Sequence, residues 1–285
     1  MTGFGIDPDQ GLSQADELRV VRLAAELGYE SAWTNSGPDA GAFERCRRWH
    51  LASGLPVGIS AVPAPGQSPA FYADHAGRLW DLTGGHFTLV VGSGLLSQPA
   101  KKMPAYLGEL RALLPAGAPL YLAALGPLML TLGGELADGV ALNWCSAKQV
   151  AWSRQIVVDA AQAAGRSTPR IVEYIRTAVD PDPDLARRTV AEAAARYAQM
   201  PPYRRHFERM GVAQDLDQLK RSISPASPEL VAAIGAAGVP GATRANFARL
   251  ATGLDLPIVR VLVTQRGDVE SARRVLEECA PDSHR

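Results

Sequence analysis

The residues best placed for chemistry follow the carboxyl ends of the predicted strands. They carry small, hydroxyl or amide side chains: Asn35, Ser36, Ser60, Ala61, Gly92, Ser93, Gly94, Ala123, Ala124, Leu125, Gly126, Pro127 and Asn143. Residues this small let a flat ligand lie against the backbone. Where Gly126 and Pro127 open a predicted helix, free main-chain N–H groups also suit a phosphate. Spacing alone leaves the alternative open that these glycines only form tight turns.

Two arginines lie inside strongly apolar predicted strands, where an unpaired charge is costly. Arg176 and Arg260 therefore either pair with a carboxylate such as Glu173, or face the open end of the fold and bind an anionic group of a ligand. Trp33, at the end of the second strand, is a further candidate for contact with a substrate.

Other patterns of catalytic residues are missing from the sequence. It contains no GxSxG, GxxxxGK[ST] or HExxH motif, and its five histidines lack the spacing of metal ligands. The three cysteines, Cys46, Cys145 and Cys279, are far apart and fit neither a disulfide framework nor a CxxC site. We therefore predict no bound metal.

The overall charge argues against polyanionic partners. The 29 basic and 29 acidic residues balance, and no dense block of lysine or arginine indicates binding to nucleic acid or to an anionic membrane. The amino terminus does not resemble a signal peptide, and no apolar run has the roughly 18 residues that a membrane span requires. We expect a soluble, cytoplasmic protein that acts on a small molecule.

Short apolar runs alternate with segments of helical periodicity, which is typical of parallel strands joined by crossover helices. The predicted strands cover residues 3–6, 31–34, 56–62, 86–91, 120–123, 139–142, 170–179 and 258–263. The predicted helices cover residues 14–28, 39–51, 69–82, 103–114, 127–136, 147–164, 184–219 with a break at Pro201 and Pro202, and 269–279. Eight such units favour a closed (β/α)₈ TIM barrel over an open doubly wound sheet, which typically has fewer strands and a glycine-rich first turn.

The segment between strands seven and eight is longer than one crossover requires. We predict that residues 201–252 form extra helices, which cover the mouth of the barrel or contact another subunit. No shift in composition marks a linker, so residues 1–285 are predicted to form a single domain.

Three stretches of the sequence resemble the luciferase-like monooxygenase superfamily, and specifically its deazaflavin-dependent oxidoreductase branch. The strongest match is PLYLAALGPLMLTLGGELADGVALNW, residues 119–144. The second runs through residues 58–94 and includes LTGGHF before strand four and VGSG at its end. The third is AELGYESAW, residues 25–33. Together these stretches cover about a quarter of the chain.

The resemblance implies a barrel that holds coenzyme F420, a deazaflavin, or alternatively FMN, in its mouth. The turn at residues 123–127 would receive the phosphate-bearing tail of the cofactor, and the substrate would stack on the exposed face of its ring. In several relatives a non-prolyl cis peptide bulges strand three against the ring, and its place in this chain is Ser60–Ala61. A homodimer is also expected from the resemblance.

The sequence departs from part of the family pattern. Relatives that act on alcohols or sugar phosphates have an Asp-His pair after strand two and often a Glu after the glycines of strand four. The corresponding residues here are Ser36 and Gly37, and Leu95. Their proton-transfer scheme is therefore not transferred, and Asn35 and Ser36 remain the candidate catalytic residues.

Taken together, the sequence predicts an F420-dependent oxidoreductase that moves a hydride between the cofactor and a small organic substrate. An FMN-dependent luciferase-like monooxygenase is the first alternative. A barrel that binds cofactor without turnover is the second, because the acid–base pair is missing. A barrel with another chemistry, such as a lyase acting on a phosphate ligand, is a third.

Overall fold

The computed structural model describes residues 1–221 and 226–281 of the chain. Its strands are β1 (Gly3–Gly5), β2 (Ala32–Thr34), β3 (Val57–Pro63), β4 (Phe87–Gly92), β5 (Leu120–Ala123), β6 (Gly139–Asn143), β7 (Arg170–Val179), β8 (Ala236–Gly238) and β9 (Leu256–Val261). Strands β1 to β7 pair in chain order, and β9 pairs with both β7 and β1. All pairs are parallel, so these eight strands close a barrel, and the predicted (β/α)₈ fold is confirmed.

Helices follow the strands and surround the barrel. They are α1 (Gln14–Glu26), α2 (Gly41–Ser53), α3 (Pro69–Leu82), α4 (Pro99–Leu113), α5 (Pro127–Leu136), α6 (Ala147–Ala163), α7 (Pro183–Tyr197), α8 (Pro201–Met210), α9 (Ala213–Arg221), α10 (Pro228–Ile234), α11 (Thr243–Leu250) and α12 (Val269–Glu278). Serine side chains cap several of them, as Ser68 does by accepting a hydrogen bond from the Phe71 N–H. In the described part of the chain, no helix combines the length and apolar character needed to cross a membrane.

The predicted extra helices between barrel strands seven and eight are confirmed as α8 to α11. The predicted break at Pro201 and Pro202 is the first turn of α8, where proline lacks only an N–H that the helix does not use. Several boundaries differ: α4 begins at Pro99 rather than at residue 103, and β9 ends at Val261 rather than at residue 263. The sequence analysis missed β8, whose Ala-Ala-Gly sequence has no strand-forming side chain.

Strand β7 is the longest strand and passes beyond its neighbour β6. Its first half pairs with β6 and its second half pairs with β8 on the same edge, from Thr177 onward. The insertion that contains α8 to α11 is therefore hydrogen-bonded to the barrel through β8. Residues near the middle of β7 lie at the level where the barrel opens.

The inside of the barrel is filled by bulky side chains that pack against glycines of neighbouring strands. A buried cluster there includes Trp33, Val90, Tyr121, Val172 and Tyr174. A Cβ atom added at Gly58 would lie 2.4 Å from the Trp33 ring, and one added at Gly139 would lie 2.5 Å from the Tyr121 ring. The largest cluster of buried residues packs the outer face of the sheet against the helices.

Candidate functional site

One cavity opens at the carboxyl ends of the barrel strands and encloses about 640 Å³. This volume lies in the range of small-molecule and cofactor sites. Most of the residues singled out from the sequence line it together: Asn35, Ser36, Ser60, Ala61, Gly92, Ser93, Gly94, Ala123, Ala124, Leu125, Gly126, Asn143, Arg176 and Arg260. The structure does not bring Trp33 or Pro127 to the cavity lining. Trp33 is 2% exposed inside the barrel, and its indole N–H donates to Ser31 Oγ.

One wall of the cavity is made of small residues on three neighbouring strands. The Ser60–Ala61 peptide bond is cis, as the resemblance predicted, and the pairing of β3 with β4 shifts register at this point. A Cβ atom at Gly92 would lie 3.5 Å from that of Ala61 and 3.6 Å from that of Ala123. The three residues therefore present a flat apolar surface, against which a planar ring system fits.

The rim of the cavity carries donors for an anion at the start of α5. Gly126 precedes this helix without any side-chain cap, which leaves its first main-chain N–H groups available. Arg209 of α8 reaches the same place, where its Nη2 donates to the Leu125 carbonyl over 2.6 Å. A cationic side chain and a helix amino terminus therefore meet at one point, an arrangement suited to a phosphate.

Arg260 is paired inside the protein, which settles the question that the sequence left open for it. Its guanidinium forms an ion pair with Asp7, and its Nε donates to Asp7 Oδ2 over 2.8 Å. It also donates to the Trp33 carbonyl and lies 4.2 Å from the centre of the Tyr174 ring. Arg260 is 1% exposed, and its partner is Asp7 rather than Glu173.

Arg176 borders the same cavity but has different neighbours. Its Nη1 donates to Asn143 Oδ1 and to the Tyr174 carbonyl, and its Nη2 donates to the Tyr197 hydroxyl over 3.3 Å. The Asn143 amide in turn donates to the Tyr203 hydroxyl over 2.8 Å. Both functional groups of the Asn143 side chain are thus engaged by protein atoms.

Close to Asn143 and Arg176 lies a Cys–His–Glu cluster, formed by Cys145, His206 and Glu173, whose chemistry does not suit nucleophilic catalysis. Cys145 Sγ lies 3.8 Å from His206 Nε2, and the Cys145 N–H donates to Glu173 Oε1 over 2.6 Å. Burial, and then the charge of Glu173, raises the pKa of the Cys145 thiol well above its ordinary value. Burial lowers the pKa of His206 to about 4 and raises that of Glu173 to about 8. Near neutral pH the cluster therefore holds a thiol rather than a reactive thiolate.

The candidate catalytic residues after β2 lie at the cavity but make few contacts. The Asn35 N–H donates to Asp7 Oδ1 over 3.0 Å, and Ser36 Oγ donates to the Gly37 carbonyl over 2.6 Å. Within residues 1–221 and 226–281 no group of three metal-ligating side chains occurs. The fifth histidine of the sequence, His284, lies outside the described residues.

Several lining residues were not found from the sequence: Asp7, Tyr174, Tyr197, Tyr203, Arg205 and Arg209. Asp7 follows β1, so the rule applied to the other strand ends would have found it. Tyr174 lies two residues from both Val172 and Arg176 on β7, so all three side chains point to the same, inward face of the strand. Tyr197, Tyr203 and the two arginines belong to α7 and α8, whose placement over the mouth has no local sequence signal.

One face of helix α8 contacts two places at the mouth of the barrel, the end of β6 and the turn before α5. Tyr203, His206 and Arg209 follow each other at intervals of three residues and therefore share that face. Tyr203 contacts Asn143, His206 Nε2 lies 2.9 Å from the Trp144 carbonyl, and Arg209 contacts Leu125. Two of these contacts go to the end of β6 and the third to the turn before α5.

Comparison with known proteins places this architecture in a family. The model of the luciferase-like monooxygenase family matches residues 95–252, which is more than half of the chain. The chain belongs to the luciferase-like monooxygenase family. Membership in this family of oxidoreductases confirms the enzyme class and the superfamily predicted from the resemblance.

Two related sequences belong to different kinds of enzyme. A 5,10-methylenetetrahydromethanopterin reductase of Archaeoglobus fulgidus is 27% identical over 249 residues, 74% of this luciferase-like chain and 74% of the reductase. A 4-hydroxyprotoasukamycin monooxygenase of Streptomyces nodosus subsp. asukaensis is 34% identical over 99 residues, 30% of this chain and 25% of its own length.

Solved structures share the fold at low sequence identity. The coenzyme F420-dependent tetrahydromethanopterin reductase of Methanopyrus kandleri has a TM-score of 0.75 at 18% identity, over 97% of this chain and 98% of its own. An F420-dependent secondary alcohol dehydrogenase, solved with an F420–acetone adduct, has a TM-score of 0.76 at 14% identity, over 98% of both chains. The oxygenating constituent of 3,6-diketocamphane monooxygenase of Pseudomonas putida, solved with FMN, has a TM-score of 0.62 at 15% identity, over 99% of this chain and 98% of its own.

Proposed function

We propose that this protein is an F420-dependent oxidoreductase that transfers a hydride between the deazaflavin and a small organic substrate. The proposal rests first on the cavity, whose flat wall and anion-binding rim match a planar ring with a phosphate-bearing tail. The F420-dependent reductase and dehydrogenase also superpose with higher TM-scores than the FMN-bound monooxygenase does. The reductase relative over three quarters of the chain points in the same direction.

The described residues have the shape and chemistry that F420 requires. The cis peptide at Ser60–Ala61 together with Gly92 and Ala123 would support one face of the ring. The uncapped start of α5 and the Arg209 guanidinium would hold the phosphate of the tail. When bound there, F420 supplies the carbon centre that accepts or releases the hydride, and the protein supplies orientation and electrostatics.

The chain's own residues orient the substrate and limit access of water. Helix α8 covers part of the mouth, with Pro201, Pro202 and Tyr203 among the lining residues. Burial raises the pKa of Tyr203 to about 12, so its hydroxyl stays protonated near neutral pH and acts as a hydrogen-bond donor rather than as a base. Because Ser36 and Leu95 replace the acid–base residues of several relatives, a substrate that needs little proton transfer from the protein suits this site best.

An FMN-dependent monooxygenase is the second candidate. It is favoured by the family match and by the shared fold of the FMN-bound monooxygenase. The two cofactors have similar rings and differ in the length and charge of their tails, so the cavity wall alone does not separate them. Binding of the purified cofactors does.

The test is titration of the purified protein with oxidised F420 and, separately, with FMN, followed by cofactor fluorescence. The informative variant is Gly126→Leu, because a Cβ there would meet no atom within 4 Å and its backbone is extended, at φ −112°. The side chain would thus fill space beside the cavity rim without straining the fold. Gly108→Leu is the matched control, since Gly108 also has no atom within 4 Å of an added Cβ and lies on the exposed side of α4.

We expect micromolar binding of F420 that is weakened at least tenfold by Gly126→Leu and is unchanged by Gly108→Leu. Tighter binding of FMN than of F420 would favour the monooxygenase candidate. Binding of neither cofactor would contradict the proposal. Tight F420 binding without turnover over a broad panel of substrates would indicate a binding protein instead.

A further inference from the structure

The charge of the cavity differs sharply from that of the whole chain, whose formal net charge is zero. Among the described residues that line it, four are arginines, Arg176, Arg205, Arg209 and Arg260, and one is a carboxylate, Asp7. Asp7 is paired with Arg260, so the remaining arginines give the cavity an excess of positive charge. A cavity of this kind favours anionic ligands.

Arg176 is the deeply buried residue among the three arginines that are not paired with Asp7. It is 4% exposed, and in residues 1–221 and 226–281 no carboxylate oxygen lies within 4.0 Å of its guanidinium nitrogens. Its hydrogen-bond partners are an amide, a carbonyl and a phenol, all of which are neutral. These groups orient the guanidinium without forming an ion pair with it. The buried Glu173 carboxyl interacts with the Arg176 charge only beyond 4.0 Å, and burial raises its pKa to about 8, so it is largely uncharged near neutral pH.

Aromatic rings complete the surroundings of Arg176. Its guanidinium carbon lies 4.4 Å from the centre of the Trp144 ring, 5.2 Å from that of Tyr197 and 5.9 Å from that of Tyr174. Trp144 has a backbone φ of 59°, a conformation rare for a bulky residue. Aromatic faces stabilise a cation while leaving it available to an anion. The contrast with Arg260, which shares the Tyr174 ring but has Asp7, indicates that the charge of Arg176 is kept free for a ligand.

The guanidinium retains donors for that ligand. Arginine has five N–H donors, and three of those of Arg176 are used by Asn143, Tyr174 and Tyr197. The Nε–H and one N–H of Nη2 remain, and a guanidinium can offer neighbouring N–H groups to the two oxygens of a carboxylate.

Arg176 lies away from two of the expected cofactor contacts, the wall at Ser60–Ala61 and the start of α5. In the closed barrel β7 lies four strands away from β3, and therefore on the opposite side of the mouth. The cis Ser60–Ala61 wall belongs to β3, and the anion-binding rim belongs to the start of α5. A ligand group at Arg176 would thus face the ring across the cavity.

We infer that Arg176 recognises a carboxylate of the substrate, so that the protein acts on small organic acids. The inference depends on the proposed function only where it calls the ligand a substrate. The carboxylate would be held by the two free N–H donors, and the Tyr203 hydroxyl and the aromatic rings would contact the rest of the molecule. Arg176 is therefore a specificity-determining residue rather than a structural one.

Benzoate and benzamide test this inference, because they share a shape and differ in charge. Their binding would be measured by isothermal titration calorimetry on the apoprotein and on the protein saturated with F420. A hydrogen bond to a charged group predicts that the wild type binds benzoate on the order of 10- to 100-fold more tightly than benzamide. Arg176→Gln should abolish this preference. Arg176→Lys keeps the positive charge but not the planar guanidinium with its paired N–H donors, so it should retain part of the preference.

Arg209→Gln is the matched control, since it removes the same charge from the same cavity on the cofactor side. It should leave most of the benzoate preference intact, while Arg176→Gln should leave the F420 dissociation constant within about threefold of the wild type. If Arg176→Gln fails to fold by circular dichroism, Tyr197→Phe takes its place, because it removes one hydrogen bond to Arg176 and should reduce the preference several-fold.

Four results would overturn the inference: no preference for benzoate in the wild type, a preference that survives Arg176→Gln, an equal loss in Arg209→Gln, or loss of F420 binding in Arg176→Gln. The last would assign Arg176 to the cofactor. A preference that depends on Arg176 in a protein that binds no F420 would support the anion site and contradict the proposed function, so the two failures are distinguishable.

Discussion

The pair of Asp7 and Arg260 offers a direct test of how a charge is tolerated inside this barrel. Asp7→Asn keeps the shape of the side chain and an oxygen that accepts hydrogen bonds, but it removes the negative charge. Arg260 is 1% exposed, and its other contacts are the Trp33 carbonyl at 3.1 Å and the Tyr174 ring. The substitution would therefore leave a buried guanidinium without its counter-charge.

Breaking a buried ion pair from one side typically costs about 3 to 5 kcal/mol. The Asp7 side chain is 11% exposed at the cavity and the asparagine oxygen still accepts a hydrogen bond, so we expect the lower end, a loss of about 3 kcal/mol in the free energy of unfolding. Equilibrium unfolding in urea at pH 7 measures this loss. The matched control is Asp74→Asn, which removes a carboxylate from an exposed pair with Arg78 and should change stability by less than about 1 kcal/mol.

A double variant identifies the cause of the loss. If the uncompensated charge destabilises Asp7→Asn, then adding Arg260→Met should recover a large part of the lost stability, because the unpaired guanidinium is then removed. The reasoning is refuted if Asp7→Asn unfolds like the wild type, or if Arg260→Met costs as much in the Asp7→Asn background as it does alone.

Three further perturbations follow from the described contacts. Glu173→Gln should be more stable than the wild type at pH 8. The folded-state pKa of Glu173, about 8, lies above the ordinary glutamate value, so ionisation should lower the wild type's free energy of unfolding by roughly 2 kcal/mol relative to this variant between pH 6 and pH 8. Parallel dependences of the two free energies on pH would contradict this. Gly58→Ala places a methyl group 2.4 Å from the buried Trp33 ring and should lower the free energy of unfolding by about 1 to 3 kcal/mol, whereas Gly108→Ala should not lower it; equal urea midpoints would show that the barrel interior adjusts freely. The three cysteines are buried, so iodoacetamide should label none of them in the folded protein and all of them in denaturant; mass-spectrometric detection of rapidly labelled Cys145 in the folded protein would reverse our interpretation of its environment.

Much of the fold could be predicted because its signals are local. The bounds of β5 and β7 follow from short apolar runs, and those of α3 and α5 follow from helical periodicity that begins at a proline. The observed strands and helices agree with those predictions. The closed barrel then follows from the number of strands and their parallel order. The three-residue strand β8 escaped because tertiary pairing with β7, rather than its own side chains, makes it a strand.

The site was predictable only where one strand end carries the signal. Ser60, Gly92 and Gly126 could be placed at the cavity because parallel strands bring their carboxyl ends to one face. The pairing of Asp7 with Arg260 joins the two ends of the chain, so no local pattern records it. The different surroundings of Arg176 and Arg260 likewise depend on which residues pack beside each strand, although both arginines have the same apolar sequence context.

The three contacts of α8 bear on how ligands enter and leave the cavity. Tyr203, His206 and Arg209 lie on one helix and contact two separate places, the end of β6 and the turn before α5. A movement of the helix large enough to break one contact would therefore also displace the other two. We therefore expect any movement of α8 away from the mouth to break the contacts at both positions together rather than one at a time. Because burial lowers the pKa of His206 to about 4, this residue stays uncharged near neutral pH, and its contact with the Trp144 carbonyl is not lost by protonation there.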